Sequence, residues 1–206
     1  LKMTDFWEIL VAIKWASEMA NVQIVTGDTK VVERGKGDKI FINTTGVGQV
    51  HDRAKISVKN IKAGDKIIVS DSIATHGVAI MSVREGIEFE TAIKSDTRGL
   101  NHIVSKLLDD FGEDIHLLKD PTRGGVATVL NEITRDRNLG VEIVHKHLPI
   151  EREVDALCEI LGLDPLYVAN EGIFIAVVDA EVSEKVLEAL QKMEHCSNAS
   201  IIGEVV

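Results

Sequence analysis

The stretch Asp120-Pro121-Thr122-Arg123-Gly124-Gly125-Val126-Ala127 lies between two apolar patterns that have different periods. The apolar run from Ile115 to Leu118 before it is typical of a short buried strand, and the apolar residues after it recur at helical spacing. Pro121 lacks a backbone N–H and has a fixed φ, so it ends the strand. Thr122 or Asp120 is predicted to cap the helix that follows. The stretch therefore predicts a strand, a tight turn and a helix in direct succession.

The same turn has the residues of an anion site. Gly124 and Gly125 would let a ligand approach the backbone closely. The free N–H groups at the start of a helix attract anions, and Arg123 adds a planar set of donors. One interpretation is a phosphate or carboxylate site, and the other is a capped turn with a solvent-facing Arg123. The local residues leave both interpretations open.

Length and composition exclude several classes of protein. The 206 residues, 45% of them apolar, suffice for a core in one large domain or two small ones. The net charge of −10 argues against non-specific binding of nucleic acid, which depends on Lys and Arg. No apolar run approaches the roughly 20 residues of a membrane span. Two cysteines, Cys158 and Cys196, suit a reduced, cytoplasmic protein. Because the chain begins with Leu1, we expect a fragment of a longer protein.

Beyond a domain boundary at about residue 60, strands and helices alternate, which predicts a layered α/β arrangement. The predicted strands cover residues 66–70, 115–119, 141–145, 173–178 and 201–206. The predicted helices cover residues 76–86, 95–108 with Ser95 or Asp96 as the cap, 125–137, 151–161 and 182–193. Residues 87–94 are expected to be extended. Before the boundary, the patterns predict a helix over 5–20 capped by Thr4 or Asp5, a strand over 22–25, a hairpin of 30–33 and 39–45, and a strand over 56–61.

Other polar clusters lie at predicted strand ends. In Thr26 to Lys30, Asp28 could hold a metal ion and Lys30 a phosphate, although Gly-Asp is also an ordinary turn. Asn170-Glu171-Gly172 precedes the strand at 173–178, and Glu171 is either a site carboxylate or a solvated loop residue. His145 and His147 would point the same way on a strand and bind a metal, or would be structural or solvated.

Taken in order, these clusters resemble the HypE family of hydrogenase maturation factors. The motifs that carry the resemblance are Gly27 to Lys30, Ile42 to Gly46, Ala63 to Asp65, His76-Gly77, Arg84 to Gly86, Asp120 to Gly125 and Ala169 to Gly172. That family belongs to the superfamily of aminoimidazole ribonucleotide synthetase and selenophosphate synthetase. The resemblance implies a PurM-like α+β fold. Residues 1–60 would be the C-terminal part of the ATP-binding N-terminal domain, and residues 61–206 a C-terminal domain with a mixed sheet flanked by helices.

The resemblance also implies an activity and partners. A HypE-type enzyme is a homodimer that binds ATP and Mg²⁺ and works in the cytoplasm. It dehydrates an S-carbamoyl group on its own C-terminal cysteine to a thiocyanate, which supplies the cyanide ligand of the iron in [NiFe]-hydrogenase. Its expected partners are the carbamoyltransferase HypF and the HypC–HypD scaffold–chaperone complex, with no nucleic acid and no membrane.

Residue by residue, Lys30 matches the ATP-site lysine of the family and Glu171 a glutamate near the carbamoylated tail. The remaining expected ATP or phosphate residues are Asp28, Thr29, Asp120, Thr122, Arg123, Gly124 and Gly125. Asn170 joins Glu171 at the tail, and Asp28 is the expected metal ligand.

Three departures from the family bear on activity. The family's longer first half and its C-terminal Pro-Arg-x-Cys tail have no counterpart here, and Asp71 to His76 lacks the Gly and Asp expected before the His-Gly pair. We therefore expect this chain alone to be inactive, with neither Cys158 nor Cys196 replacing the tail cysteine. The alternatives are another ATP-using enzyme of the superfamily, such as selenophosphate synthetase or thiamine-monophosphate kinase, and a non-catalytic dimerisation or partner-docking fragment.

Overall fold

An antiparallel sheet of five strands organises the second of two units into which the chain divides, residues 1–50 and 51–206. A computed structural model describes residues 1–86, 93–135 and 137–206, so most of the segment expected to be extended over 87–94 lies outside the described residues. The predicted boundary at about residue 60 falls within the second unit. The assignment of 1–60 and 61–206 to two PurM-like domains stays a prediction.

The strands of the sheet are β1 (Lys66–Val69), β2 (Ile115–Lys119), β3 (Val141–Ile143), β4 (Ile175–Val178) and β5 (Ser200–Val205). Their order in the sheet is β2-β4-β1-β5-β3. All five predicted strands after residue 60 are confirmed, but every ladder among them is antiparallel, so the predicted mixed sheet is wrong. Hydrophobic patterning identifies a buried strand, whereas strand direction depends on how the connections cross the sheet.

Helices lie against both faces of the sheet. The described helices are α1 (Met3–Met19), α2 (Thr75–Arg84), α3 (Asn101–Phe111), α4 (Gly125–Thr134), α5 (Arg152–Leu161) and α6 (Ser183–Gln191). Short 3₁₀ turns cover Val58–Asn60, Gly112–Asp114, His145–His147 and Pro165–Tyr167. None of the helices in the described ranges is both long and apolar enough to pass through a lipid bilayer.

The alternation of side chains along β1 distributes the core between the two faces. Ile67 and Val69 point to one face and pack with the apolar side of α4. Ile68 points to the other face, where it packs in a cluster with Leu107 of α3 and Leu190 of α6. Full burial of such side chains stabilises the fold by about 1.5–3 kcal/mol each. A third cluster joins α2 and α5 and includes Cys158.

A helix lies at or near each predicted range, and the largest difference is in α3, which covers Asn101–Phe111 rather than 95–108. The N-cap of α3 is Leu100 rather than Ser95 or Asp96, and that of α1 is Lys2 rather than Thr4 or Asp5. The strand predicted over 56–61 is wrong, because residues 56–61 form no strand and a 3₁₀ turn covers Val58–Asn60. The Ser57 hydroxyl accepts a hydrogen bond of 3.2 Å from the N–H of Lys59 at the start of this turn. A polar side chain that satisfies a nearby backbone donor offers an alternative to strand pairing.

The first unit contains α1 followed by irregular backbone. The strand predicted over 22–25 and the hairpin of 30–33 and 39–45 are wrong, because no ladder forms among these described residues. The central turn is present, with a hydrogen bond of 3.0 Å from the N–H of Lys36 to the carbonyl of Glu33. β-prone residues form a strand only where a partner supplies the ladder, and an isolated hairpin is marginal in water. On α1, Trp7 and Trp15 are both exposed.

Candidate functional site

Asn170 holds three loops together at one end of the sheet. Its side chain is fully buried and its amide oxygen accepts a hydrogen bond of 2.7 Å from the N–H of Ala74, in the loop after β1. Its amide nitrogen donates to the carbonyl oxygens of Pro121, after β2, and Val168, before β4, both at 3.0 Å. All the hydrogen-bonding atoms of this amide face protein backbone, so Asn170 fixes the relative positions of the loops.

Close backbone packing brings the same loops into contact. The N–H of Gly77 donates to the carbonyl of Ala169 at 3.0 Å, and a Cβ on Gly77 would lie 2.4 Å from the Val168 side chain. Gly125 has a φ of +62°, and a Cβ there would lie 2.5 Å from the carbonyl oxygen of Leu166. Only glycine fits such positions without displacing the neighbouring chain. Three of the motifs on which the resemblance rests therefore meet at this end of the sheet.

The turn before α4 differs from the predicted capped start. The N-cap is Gly124, with a φ of +71°, and no side chain caps the helix, so the predicted caps Thr122 and Asp120 are wrong. Thr122 instead closes a turn, because its carbonyl accepts a hydrogen bond of 3.1 Å from the N–H of Gly125. Asp120, Arg123 and Gly124 are exposed, and Arg123 forms no ion pair with any described residue. This leaves its guanidinium available to an anion, and the phosphate role stays a prediction.

Glu171 lies on the exposed part of the loop that Asn170 anchors. Its backbone N–H donates to Oδ1 of Asp96 at 3.0 Å, and Asp96 is only 4% exposed. A Cβ on Gly172 would lie 1.7 Å from the carbonyl oxygen of Asp96, so the two segments are in direct backbone contact. Asp96, which the sequence suggested as a helix cap, thus anchors the loop that carries Glu171. The sequence signal for this anchoring role is the Ser95-Asp96 pair in a polar segment, and the same pair is equally typical of a helix cap.

A polar cleft of about 450 Å³ lies beside this loop. Asp96 and Arg98 line it, and Nε of Arg98 donates to the carbonyl of Asp96 at 2.8 Å. Nη1 of Arg98 lies 3.3 Å from Oδ2 of Asp71, and Nδ1 of His76 lies 2.8 Å from Oγ of Ser95. Both signs of charge line the cleft, which suits a polar ligand. No sequence pattern pointed to Asp71 or Arg98 for this role.

Asp28, Thr29 and Lys30 are exposed in the first unit. The N–H of Thr29 donates to Oδ1 of Asp28 at 2.8 Å, a bond between adjacent residues. Within residues 1–86, 93–135 and 137–206, Asp28 belongs to no group of three potential metal ligands. The metal and phosphate roles of these residues stay predictions.

The remaining candidates are placed clearly. His145 and His147 are exposed and lie in a 3₁₀ turn. β3 ends at Ile143, so the strand predicted over 141–145 ends before either histidine. Cys158 is buried in the core, as expected, and burial raises the pKa of its thiol. Cys196 lies in a polar loop but its side chain is buried, and this burial raises its pKa to about 11. Neither thiol has the low pKa or the exposure of a reactive cysteine.

Residues 62–206 match the family described as "AIR synthase related protein, C-terminal domain". Across almost the whole chain, similarity extends to proteins named HypE. The carbamoyl dehydratase HypE of Azotobacter vinelandii is 47% identical over 204 residues, which are 99% of this chain and 60% of that protein. The chain therefore spans about three fifths of the length of the curated relatives it matches.

Solved structures show the same similarity in three dimensions. A chain in a crystal structure of a HypE–HypF complex is 45% identical with a TM-score of 0.95, over 99% of this chain and 67% of that one. The crystal structure of hydrogenase maturation protein HypE in complex with ATP is 42% identical, also with a TM-score of 0.95, over 100% of this chain and 61% of that one.

Proposed function

This chain belongs to the family of AIR synthase related proteins, and on that premise we propose that it forms part of an ATP-dependent carbamoyl dehydratase of HypE type. The proposal is supported by one observation above all. Identity of 42% and a TM-score of 0.95 extend over the whole chain in the comparison with HypE in complex with ATP. The contact of the Asp120–Gly125, His76-Gly77 and Ala169–Gly172 motifs around Asn170 adds a site of the expected composition.

The proposed reaction converts a thiocarboxamide, R–S–C(=O)–NH₂, into a thiocyanate, R–S–C≡N, in the maturation of hydrogenases. Bound ATP supplies the phosphoryl group that makes the amide oxygen a leaving group, so that oxygen departs in inorganic phosphate and ADP remains. The carbon–oxygen bond breaks, the carbon–nitrogen bond becomes triple, and both amide protons leave as the nitrile forms. The reaction therefore needs cations near the phosphates and a base near the amide.

Lys30 is the proposed cation for the phosphates, with Asp28 and Thr29 beside it. Lys30 is exposed and forms no ion pair with the described residues, so its charge is available. Mg²⁺ is typically bound through one or two carboxylates together with substrate phosphates, and the exposed Asp28 fits that donor set. Asp120, Thr122, Arg123, Gly124 and Gly125 are the proposed phosphate residues of the second unit.

Glu171 is the proposed base. Its side chain is exposed, so a substrate can reach it, while its backbone is fixed by Asp96 and by the neighbouring Asn170. An exposed carboxylate on an anchored loop can accept a proton from an amide without losing its position. Asn170 contributes by positioning, because its own amide is fully engaged with backbone atoms.

The partners follow from the proposed activity. A carbamoyltransferase of HypF type would supply the carbamoyl group, a HypC–HypD complex would receive the product, and the protein would act as a homodimer in the cytoplasm. The comparison with a chain from a HypE–HypF complex supports the first of these. We also propose that neither Cys158 nor Cys196 accepts the carbamoyl group and that the chain alone is therefore inactive. The burial of both thiols supports this part of the proposal.

Two alternatives remain distinguishable. Another ATP-using enzyme of the superfamily is the weaker one, because the relatives of 45–47% identity carry HypE or hydrogenase-maturation names. A non-catalytic docking or dimerisation unit is the second, and the net charge of −10 would suit a basic partner surface.

The test is a titration of the chain with ATP and Mg²⁺ by calorimetry, followed by mass spectrometry after incubation with HypF, carbamoyl phosphate and ATP. The polypeptide as its organism encodes it is tested in parallel. We expect ATP binding, and a thiocyanate mass on the encoded polypeptide but not on Cys158 or Cys196. No heat and no thermal shift at millimolar ATP would instead support the docking unit.

A further inference from the structure

Three potential metal ligands lie at the end of the sheet opposite the loops joined by Asn170. Val178 of β4 pairs with Lys66 of β1 on one side and with Ile115 of β2 on the other. Asp65 directly precedes Lys66, His116 directly follows Ile115, and Asp179 directly follows Val178. The antiparallel register therefore places these three side chains around one row of the sheet.

The donor atoms are close together. One ligand atom from each of Asp65, His116 and Asp179 lies within 4.8 Å of the other two, and Nδ1 of His116 is 2.7 Å from Oδ2 of Asp65. The β2–β4 register shifts between Ile115 and Leu117, so His116 lies at an irregularity of the ladder. Such a bulge re-aims a side chain. In the parts of the chain that the structure describes, no other group of three potential ligands is found.

Asp65 has a buried carboxylate oxygen without a hydrogen-bond partner in the part of the chain that the structure describes. The residue is 0% exposed, and its Oδ1 is buried with no hydrogen-bond partner among the described residues. Its Oδ2 accepts a hydrogen bond of 2.9 Å from the N–H of Lys62 in addition to its contact with His116. A buried carboxylate is costly unless a cation or further donors neutralise it. The orphaned oxygen is therefore a buried ligand atom that a cation could use.

The ammonium group of Lys62 lies against Asp179 rather than against the orphaned oxygen of Asp65. Its Nζ lies 2.6 Å from Oδ2 of Asp179, so a cation already occupies one side of the cluster. The Lys62 side chain is 60% exposed, and its long flexible stem can withdraw into solvent. Asp65 and Asp179 together then present two carboxylates and an imidazole to any cation that enters.

We propose that Asp65, His116 and Asp179 bind a divalent first-row transition-metal ion such as Zn²⁺, which replaces the ammonium group of Lys62. Imidazole together with carboxylates favours Zn²⁺ or Co²⁺ over Mg²⁺ and Ca²⁺, which take oxygen ligands alone. Water fills the fourth position of a tetrahedral ion bound by three protein ligands. This site is independent of the proposed ATP chemistry, and it ties together three strands of the sheet.

The test is a calorimetric titration of the 206-residue chain with Zn²⁺, and an absorption titration with Co²⁺, whose visible spectrum reports nitrogen coordination. We expect saturable binding of one ion per chain. Asp179→Asn and His116→Ala should each weaken binding by more than the roughly 10- to 100-fold that loss of an outer-shell partner costs. Lys62→Ala should strengthen binding, because it removes the competing cation. Asp179 is partly exposed, so its variant avoids the folding risk of a change at the buried Asp65.

The double variant His145→Ala, His147→Ala is the control for adventitious binding by exposed histidines. It should retain the ion and the Co²⁺ spectrum of the unmodified chain. Absence of saturable binding, loss of binding in this double variant, or unchanged affinity in Asp179→Asn or Lys62→Ala would each overturn the proposal. Circular dichroism of every variant confirms that it is folded before titration.

Discussion

The backbone N–H of Glu171 donates a hydrogen bond of 3.0 Å to Oδ1 of Asp96, a residue 75 positions earlier in the chain. Asp96 is 4% exposed, whereas Glu171 presents its own carboxylate to solvent. The buried carboxylate of Asp96 thus has a structural role, whereas the carboxylate of Glu171 is accessible to a substrate. The bond fixes the backbone of the proposed base without engaging the carboxylate that would do the chemistry.

Replacing Asp96 by Ala should free the Glu171 loop. Hydrogen bonds to charged groups contribute about 1.5–3 kcal/mol, so we expect a similar loss in the free energy of unfolding. Urea unfolding followed by circular dichroism measures it, and amide exchange at Glu171 should accelerate. Asp96→Asn keeps an acceptor for the N–H and serves as the matched variant with a smaller effect. Equal stability of Asp96→Ala and the unmodified chain would show that the bond does not hold the loop.

Gly172→Ala should be among the most damaging small substitutions in the chain. The added Cβ would lie 1.7 Å from the carbonyl oxygen of Asp96, a backbone atom that cannot rotate away. Overpacking typically costs about 1–3 kcal/mol, and we expect a loss in unfolding free energy at the upper end of that range. Gly46→Ala is the control, because nothing lies within 4 Å of its added Cβ. Similar stabilities of the two variants would contradict the contact.

Glu171→Gln should leave ATP binding intact and slow thiocyanate formation in the polypeptide as its organism encodes it. The change keeps the shape of the side chain and removes its basicity, and general acid–base residues contribute about 10²–10⁴-fold. Calorimetry measures the first effect and mass spectrometry the second. Glu159→Gln, at an exposed position on α5, should behave like the unmodified protein. Formation of thiocyanate at the normal rate in Glu171→Gln would reduce Glu171 to a structural role.

In the polypeptide as its organism encodes it, Lys30→Ala should impair ATP use while the fold survives. The side chain is exposed and contributes nothing to the core, whereas loss of a group that stabilises developing charge costs about 10²–10³-fold in rate. ATP hydrolysis and circular dichroism measure the two expectations. Lys36→Ala, in the turn of the same unit, is the control and should retain full activity. Unchanged hydrolysis in Lys30→Ala would remove Lys30 from the phosphate site.

Both cysteines should resist alkylation in the native chain at neutral pH and react rapidly in urea, because each is 1% exposed. Fast alkylation of the native chain would contradict this burial.

The pKa of Cys196 sets a pH dependence of stability. Burial raises its pKa from 9.0 to about 11, so between these values the unfolded chain loses this proton while the folded chain keeps it. The free energy of unfolding should therefore fall as the pH rises through that window. Cys196→Ser should reduce this fall in the free energy of unfolding.

Much of the fold of the second unit follows from local patterns. The continuous apolar run at 173–178 and the helical spacing of Val126, Val129 and Ile133 lead directly to β4 and α4. The patterns gave no information on strand direction, and they misplaced the start of α3. Ser95 and Asp96 have the composition of a cap, but the side chain of Asp96 is engaged by the backbone of Glu171 instead.

The candidate site could be predicted only in part from the sequence, because its contacts are not local. The motifs could be recognised separately, and family resemblance gave their roles, but their contacts join positions far apart in the chain. Asn170 reaches Ala74 and Pro121 through hydrogen bonds that no local spacing encodes. The residues before position 51 show the converse, since β-prone segments such as Val22 to Val25 form a strand only when a partner supplies the ladder.

The positions of the aromatic residues make α1 separately visible to spectroscopy. The chain has two tryptophans, Trp7 and Trp15, and both lie on exposed positions of α1 in the first unit. The single tyrosine, Tyr167, lies in the second unit. Tryptophan emission therefore reports the surroundings of α1, and its red or blue position reports whether the exposed indoles become covered. Far-UV ellipticity follows the sheet and all the helices, α1 included, so the two signals report on different sets of residues in one sample.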